Sequence, residues 1–161
     1  RPAFHAKGSV TPGNSSPLTD GAAALVLMAA DKAKELGLEI HGYFRNFSVV
    51  GVDPAIMGIG PVPAIRKLME LSGKKTDDIG TFEINEAFAA QASYCVRELG
   101  LDAAKVNPNG GAIALGHPLG ATGAILACKL LSEMKREDQK LGVVSMCIGG
   151  GMGAAGLFER A

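Results

Sequence analysis

Residues 141–159 read LGVVSMCIGGGMGAAGLFE, and this stretch decides the fold. Two apolar runs, 141–148 and 154–159, flank the glycine-rich turn GGGMG. Short apolar runs bounded by glycine are the pattern of strands with both faces covered. The connection is too short for the crossover a parallel pair requires, so these two strands are antiparallel.

Moving outward, residues 121–135 form a predicted helix with Ile125, Cys128, Leu130 and Leu131 among its apolar positions. Ahead of it lies VNPNGGAIALGHPLGATG, residues 106–123, with five glycines and two prolines. Glycine costs backbone entropy and proline lacks a donor, so this run is a tight, buried loop rather than a helix or strand. It holds one histidine, His117, between Gly116 and Pro118. Upstream come a helix over 86–99, a strand at 80–84 (GTFEI) with Asn85 at its end, and a helix from Pro61 or Pro63 that Gly73 ends. That helix carries Ile65, Leu68, Met69 and Leu71 at core spacing. Residues 53–60 are a turn-rich connection, 40–52 a strand, 31–36 a short helix stopped by Gly37, and 21–29 (GAAALVLMA) a short buried strand.

Residues 1–20, with Pro2, Pro12, Gly13 and Pro17, are a loop-rich lead-in, and 21–161 make one domain. Ser15, Ser16 and Thr19 read either as turn and cap residues or as the lining of a ligand channel. Strands alternating with helices imply an α/β layered fold, and the antiparallel final pair makes its sheet mixed, with helices covering it.

The chain has 161 residues, enough for one sizeable core. Lys plus Arg equals Asp plus Glu at 16 each, and no basic stripe or basic amphipathic helix suggests a nucleic acid or membrane-surface partner. No run approaches the roughly eighteen apolar residues of a membrane span. Cys95, Cys128 and Cys147 are widely spaced, without CxxC or a neighbouring histidine. That excludes a zinc motif, gives no metal site, and suits a reducing compartment. The residues contain no signal-peptide pattern, and the sequence opens at Arg1, so any N-terminal address lies outside it.

Three residues share a kind of place. Asn85 sits where a strand becomes a helix, His117 in the loop before a helix, and Cys147 at a strand end beside Gly149, Gly150 and Gly151. Strand ends and the loops after them are where α/β folds put their sites. Cysteine can serve as nucleophile or base, histidine as proton carrier, an amide can orient water, and glycine N–H groups can form an oxyanion hole. The plainer reading of a single strand-end cysteine is a small buried hydrophobe. Near-neutral acid–base work by Cys147 calls for a depressed pKa, which a nearby histidine or backbone dipole can supply. Gly149, Gly151 and Ala154 fit the spacing G-x-G-x-x-A, but the residues that follow read as strand, so dinucleotide binding is rejected. The Gly116–Gly123 region lacks the lysine of a P-loop, so it does not bind nucleoside triphosphates.

NEAFAAQ at 85–91, NGGAIALGHPLGATGA at 109–124 and CIGGGMGAAGLFE at 147–159 together resemble the signatures of the thiolase family. GSVTPGNSSPLTDGAAALVLM at 8–28 matches the family's entry into its second half, so the resemblance spans nearly the whole chain. FEINEAFA, VVGVDPAIMGIGP and VVSMCIG are most similar to the peroxisomal 3-ketoacyl-CoA type. The resemblance implies a βαβαβαββ domain, the C-terminal half of an acyltransferase that cleaves 3-ketoacyl-CoA with CoA in fatty-acid β-oxidation. It implies an acyl-cysteine in a first half lying outside this chain, so these residues alone are expected to be inactive.

By the same resemblance, His117 activates the nucleophile and joins an oxyanion hole, and Asn85 holds a water completing it. Cys147 is the acid/base, Gly149 N–H belongs to a second oxyanion hole, Ser16 contacts the pantetheine of CoA, and Phe88 lines its channel. Pro17 stands where glycine or a polar residue is more usual. CoA is a substrate and no other cofactor is implied. The expected partners are acyl-CoA, CoA, the first half, and a second copy in a homodimer. The expected location is the peroxisome, with mitochondrion or cytoplasm as alternatives. The competing readings are a non-catalytic acyl-CoA-binding or assembly domain, a biosynthetic acetoacetyl-CoA thiolase, and a decarboxylating condensing enzyme. The last usually presents histidine or asparagine pairs in place of the CIGGGMG cysteine.

Overall fold

A computed structural model describes all 161 residues. Four strands form one mixed sheet in the order β1-β4-β3-β2: β1 (Gly42–Gly51), β2 (Thr81–Ile84), β3 (Leu141–Ile148) and β4 (Met152–Arg160). β3 and β4 are antiparallel across the glycine turn, β4 and β1 are antiparallel, and β2 and β3 are parallel. The helices are α1 (Ala30–Glu35), α2 (Pro61–Ser72), α3 (Ala89–Glu98), α4 (Ala112–Leu115) and α5 (Thr122–Arg136). No helix is long and apolar enough to cross a membrane.

Pro61 opens α2, where its missing N–H costs nothing, and Gly73 closes it in the left-handed conformation (φ 65°). Between them Ile65, Leu68 and Met69 pack with Phe82 and Ile84 of β2, Val143 of β3 and Leu157 of β4. Leu71 turns to solvent instead. Strand alternation puts the next residue of β3, Val144, on the other face, where it meets Leu126, Leu130 and Met134 of α5. Each fully buried leucine or isoleucine contributes about 1.5–3 kcal/mol by its removal from water. A helix is about 10 Å wide and covers roughly two strands. Accordingly α5 lies over β2 and β3 and leaves Phe44, Phe47 and Val49 of β1 exposed, so on that side the cover predicted for the sheet is partial.

Four local expectations change. Residues 21–29 are not a buried strand: they pair with no strand here, and Val26 is 86% and Leu27 79% exposed. An apolar run is buried only where a neighbour accepts its backbone bonds and side chains, and none of these elements does so. The third strand of a βαβαβαββ order shrinks to one parallel bridge, Val106 with Phe82. Asn107 side-chain bonds replace the ladder that would follow it. α3 begins at Ala89 rather than Glu86, because the preceding backbone pairs sideways: the Ser16 N–H donates to Ala87 O at 3.0 Å and Ser15 bridges Phe88. Inside the glycine run, the helix-favouring AIAL forms the single turn α4, bounded by Gly111 and Gly116. Ala112 is buried there, but Leu115 is exposed.

Backbone packs on backbone where the segment before α2 crosses β4. A Cβ on Gly153 would collide with the Gly60 carbonyl, and one on Gly60 would lie 2.5 Å from Met152 O. Gly153→Ala is therefore expected to lower stability by about 1–3 kcal/mol or more in chemical denaturation. Gly149→Ala, whose Cβ meets nothing within 4 Å, should stay within about 0.5 kcal/mol. Equal midpoints for the two variants would contradict the close crossing.

Candidate functional site

Asn85 extends the parallel β2–β3 pair by one bond, its N–H donating to Ser145 O at 2.9 Å. Its side chain is 1% exposed, its Nδ2 lies 3.3 Å from His117 Nε2, and its Oδ1 has no hydrogen-bond partner in the protein. The glycine loop brings the histidine there. Gly116 takes φ 105°, and a Cβ on it would lie 2.5 Å from Thr19 Cγ2. The Thr19 hydroxyl accepts from the His117 N–H at 3.2 Å.

The other ring nitrogen faces the first turn of α5. Thr122 Oγ1 is 2.7 Å from His117 Nδ1, and the Thr122 hydroxyl donates to Pro118 O at 2.9 Å. With its proton committed to Pro118, Thr122 can only accept from the ring, which places the histidine proton on Nδ1. Nε2 is left with its lone pair toward the Asn85 amide. Partial burial lowers the His117 pKa and favours this neutral form. The result is a base with a fixed tautomer at the carboxyl end of two parallel strands.

Cys147 lies near the same end of β3, half-buried, with Gly149 beyond it in the exposed turn before β4. The structure overturns the expected depression of its pKa. Burial raises the Cys147 thiol, and a backbone hydrogen bond offsets this only in part. The resting group is a thiol, suited to giving up a proton. Cys95, on α3, is fully buried and pushed up to about 11, mainly by desolvation, with a contribution from Cys147. It is a core residue of α3.

Ser16 and Phe88 come together on a neighbouring edge. The arm that carries Ser16 pairs with the backbone at Ala87 and Phe88, and the Phe88 ring meets Phe4 edge-on with centroids 5.7 Å apart. Contacts thus join Asn85 to His117 and the Ser16 segment to Phe88. Gly149 opens into free space.

Sequence reading did not single out Thr122, Asn107 or Glu86. Asn107, at φ 48°, accepts from the Ile84 N–H and donates to Ile84 O, both at 2.8 Å, and donates to Glu86 Oε1 at 3.2 Å. Glu86 also accepts from the Ile113 N–H at 3.3 Å, filling the space a side chain on Gly111 would need. The only advance signal was the asparagine and glycine content of NPNGG.

The family model "Thiolase, C-terminal domain" matches residues 38–160, and "Thiolase, N-terminal domain" matches residues 1–31. A 3-ketoacyl-CoA thiolase of Bacillus subtilis (strain 168) is 60% identical over 159 residues, 99% of this chain and 41% of its own length. Among solved structures, the Bacillus anthracis acetyl-CoA acetyltransferase superposes with TM-score 0.97 at 51% identity, covering 100% of this chain and 41% of that one. The human mitochondrial 3-ketoacyl-CoA thiolase in complex with CoA gives 0.92 at 41% identity, with 99% and 41% covered. The dimeric peroxisomal thiolase of Saccharomyces cerevisiae gives 0.90 at 51%, with 100% and 40% covered. The chain spans about two fifths of the length of each of these proteins.

In an NMR titration the His117 ring should protonate with a midpoint below 6.5, the ordinary histidine value, and its nitrogen shifts at neutral pH should show the Nδ1–H tautomer. Folding lowers this group's proton affinity. Its contribution to stability is therefore complete above the unfolded value and is lost as pH falls through the folded one. A midpoint at or above 6.5 would contradict the burial that the structure shows.

Proposed function

The chain belongs to the thiolase family, and from that premise we propose that its residues form the C-terminal catalytic half of a 3-ketoacyl-CoA thiolase. One observation carries the proposal: His117 is held with Nδ1 on Thr122 and a free basic Nε2 against Asn85, a buried amide whose own oxygen has no partner.

In the proposed thiolysis, Nε2 takes the proton of a cysteine thiol that lies outside these 161 residues. The thiolate attacks the 3-keto carbon, and the tetrahedral adduct breaks between C2 and C3. The acyl group stays on sulfur, and the electron pair leaves as the enolate of acetyl-CoA. Cys147, a protonated thiol at rest, gives its proton to C2. The Cys147 thiolate then takes the proton of incoming CoA, whose sulfur attacks the acyl-cysteine; the acyl group leaves as acyl-CoA, and the expelled cysteine thiolate recovers its proton from His117 Nε2.

Protonated Nε2 is a donor to the enolate oxygen, and the 3.3 Å contact with Asn85 is long enough to yield to it. Asn85 Oδ1 can accept one hydrogen of a water whose other hydrogen points to that oxygen. The Gly149 N–H is assigned to the oxyanion on the nucleophile side. Removing one donor of this type costs about 100- to 1000-fold in rate.

CoA is a substrate in this scheme and no separate cofactor takes part. The Ser16 arm and Phe88 are assigned to its pantetheine, supported by the pairing of the Ser15–Ser16 backbone with Ala87 and Phe88, two and three residues after Asn85. Residues 1–31 match an N-terminal thiolase domain. The exposed Leu25–Met28 run, together with Phe44, Phe47 and Val49, is assigned to contact with the rest of that half. A homodimer is the proposed assembly, supported by the dimeric yeast neighbour. The proposed setting is fatty-acid β-oxidation, in the peroxisome of a eukaryotic host. Peroxisomal thiolases of Arabidopsis thaliana and rat, each 59% identical, support that location, while the bacterial relative at 60% supports the chemistry without the organelle.

The test follows CoA-dependent loss of acetoacetyl-CoA by the full-length protein. Cys147→Ala is expected to lose about 100- to 10,000-fold in kcat. Wild-type activity in that variant rejects the acid/base assignment. The 161 residues alone are expected to give no turnover, and substantial turnover there rejects the external nucleophile.

A further inference from the structure

Beneath the glycine loop lies a buried ion pair that the mechanism above does not use. Glu83, on β2, is completely buried, and its Oε2 accepts from Lys129 Nζ at 2.7 Å. The same ammonium donates to Gly110 O at 2.6 Å. Lys129, on α5, is mostly shielded from solvent, and Glu83 Oε1 has no partner.

The placement repeats the geometry of the histidine site one step away. Glu83 and Asn85 are two residues apart along β2 and its extension, so they share a face. Thr122 and Lys129 are seven residues apart on α5, so they share a side of that helix. Asn85 and Thr122 grip His117 at one end of the loop. Lys129, itself held by Glu83, grips the Gly110 carbonyl at the other. Asn85, Gly111, Thr122 and Lys129 also line one small cavity between the two grips, of about 20 Å³.

Gly110 is held in a left-handed conformation, φ 85°, with its N–H donating to Asn107 O at 2.9 Å. Its carbonyl direction is therefore fixed on one side by a turn and on the other by the lysine. A second tie lies next to it, because Asn109 Nδ2 donates to Glu133 Oε2 at 2.7 Å and Arg136 neutralises that carboxylate. The charged groups facing Glu83 are Lys129, Glu133 and Glu86. Burial raises the Glu83 pKa, the two carboxylates add to this, and Lys129 opposes it. A buried pair of this kind is poor value as a source of stability, since neutral residues of similar volume often serve as well. What a neutral pair cannot supply is a donor long enough to reach Gly110 O.

We propose that Lys129, anchored by Glu83, is a positioning residue for the histidine site, holding the glycine loop through the Gly110 carbonyl so that His117 meets Asn85. The kinetic part of this inference rests on the thiolase reading. The structural part does not.

The test uses the full-length protein and the double variant Lys129→Met/Glu83→Gln, which removes the loop contact without leaving a buried charge alone. Melting temperature, acetoacetyl-CoA thiolysis, and hydrogen exchange at the amides of Gly110, Ala114 and Gly116 are measured together. The melting temperature should stay near wild type. The kcat should fall about tenfold or more, with KM changed less than about threefold, and the loop amides should exchange about tenfold faster.

If the double variant does not fold, Lys129→Gln serves with the same expectations. Its side chain ends one bond short of the Nζ position, the atom that reaches Gly110 O. Wild-type kcat and wild-type loop exchange in the folded variant overturn the proposal. If the unmodified protein does not cleave acetoacetyl-CoA, the functional reading fails and loop exchange alone decides the positioning role.

Discussion

The structure depends on what Asn107 does at the edge of β2. A sheet edge offers unpaired backbone groups, and a loop laid against it without partners would leave buried N–H and C=O groups unsatisfied. Asn107 meets that demand with one side chain. Its carboxamide gives and accepts a 2.8 Å bond with Ile84, and its own N–H donates to Phe82 O at the same distance. The amide stands in for a strand that is one bridge long, and it does so from φ 48°, a conformation asparagine tolerates better than most residues. The residue it clamps, Ile84, directly precedes Asn85. The start of the glycine loop and the asparagine of the site are thus fixed to each other through one peptide unit.

Desolvation then sets the chemistry. It raises the thiols of Cys95 and Cys147 and the carboxyl of Glu83, and it lowers the imidazole of His117. All four shifts favour the uncharged form, as burial must. For the two site residues the outcome is complementary: a base without its proton and an acid with one. Neither group needs to carry charge at rest inside the protein. The backbone-rich loops serve the same end, because glycine lets the main chain approach closely, and its N–H groups carry no charge to be desolvated.

Most of the architecture was legible in the sequence because it is written in periodicity. β3 begins and ends where its apolar run does, α2 runs from its proline to its glycine, and the antiparallel turn follows from connection length alone. The misreadings share a cause, which is that the partner decides the state of a segment. Residues 21–29 have the composition of a buried strand but no strand beside them, and 86–88 have helical composition but are held out of the helix by the Ser16 arm. The site was half legible. Asn85, His117 and Cys147 stood out as polar residues at strand ends. Thr122, Asn107, Glu86 and Lys129 did not, since a threonine at a helix start or a lysine on a helix has an ordinary meaning until the fold shows what it touches.

The two kinds of contact around the site also differ in strength, and the difference has a functional logic. Asn85, His117 and Thr122 are carried by β2, the clamped loop and α5, all tied to one sheet and its two small cores. The arm that bears Ser16 is held to the body at few points: the Ser15 and Ser16 backbone, Thr19 at His117, and Phe4 on Phe88. Local unfolding costs little where few apolar contacts must break. Asn85, His117 and Thr122 are thus fixed to the body of the domain, beside an arm that is tethered to it at few points. Because Thr19 touches the His117 N–H, the arm is not independent of the chemistry. The Thr19 hydroxyl accepts from that N–H, so the arm itself supplies one of the bonds that fix the histidine.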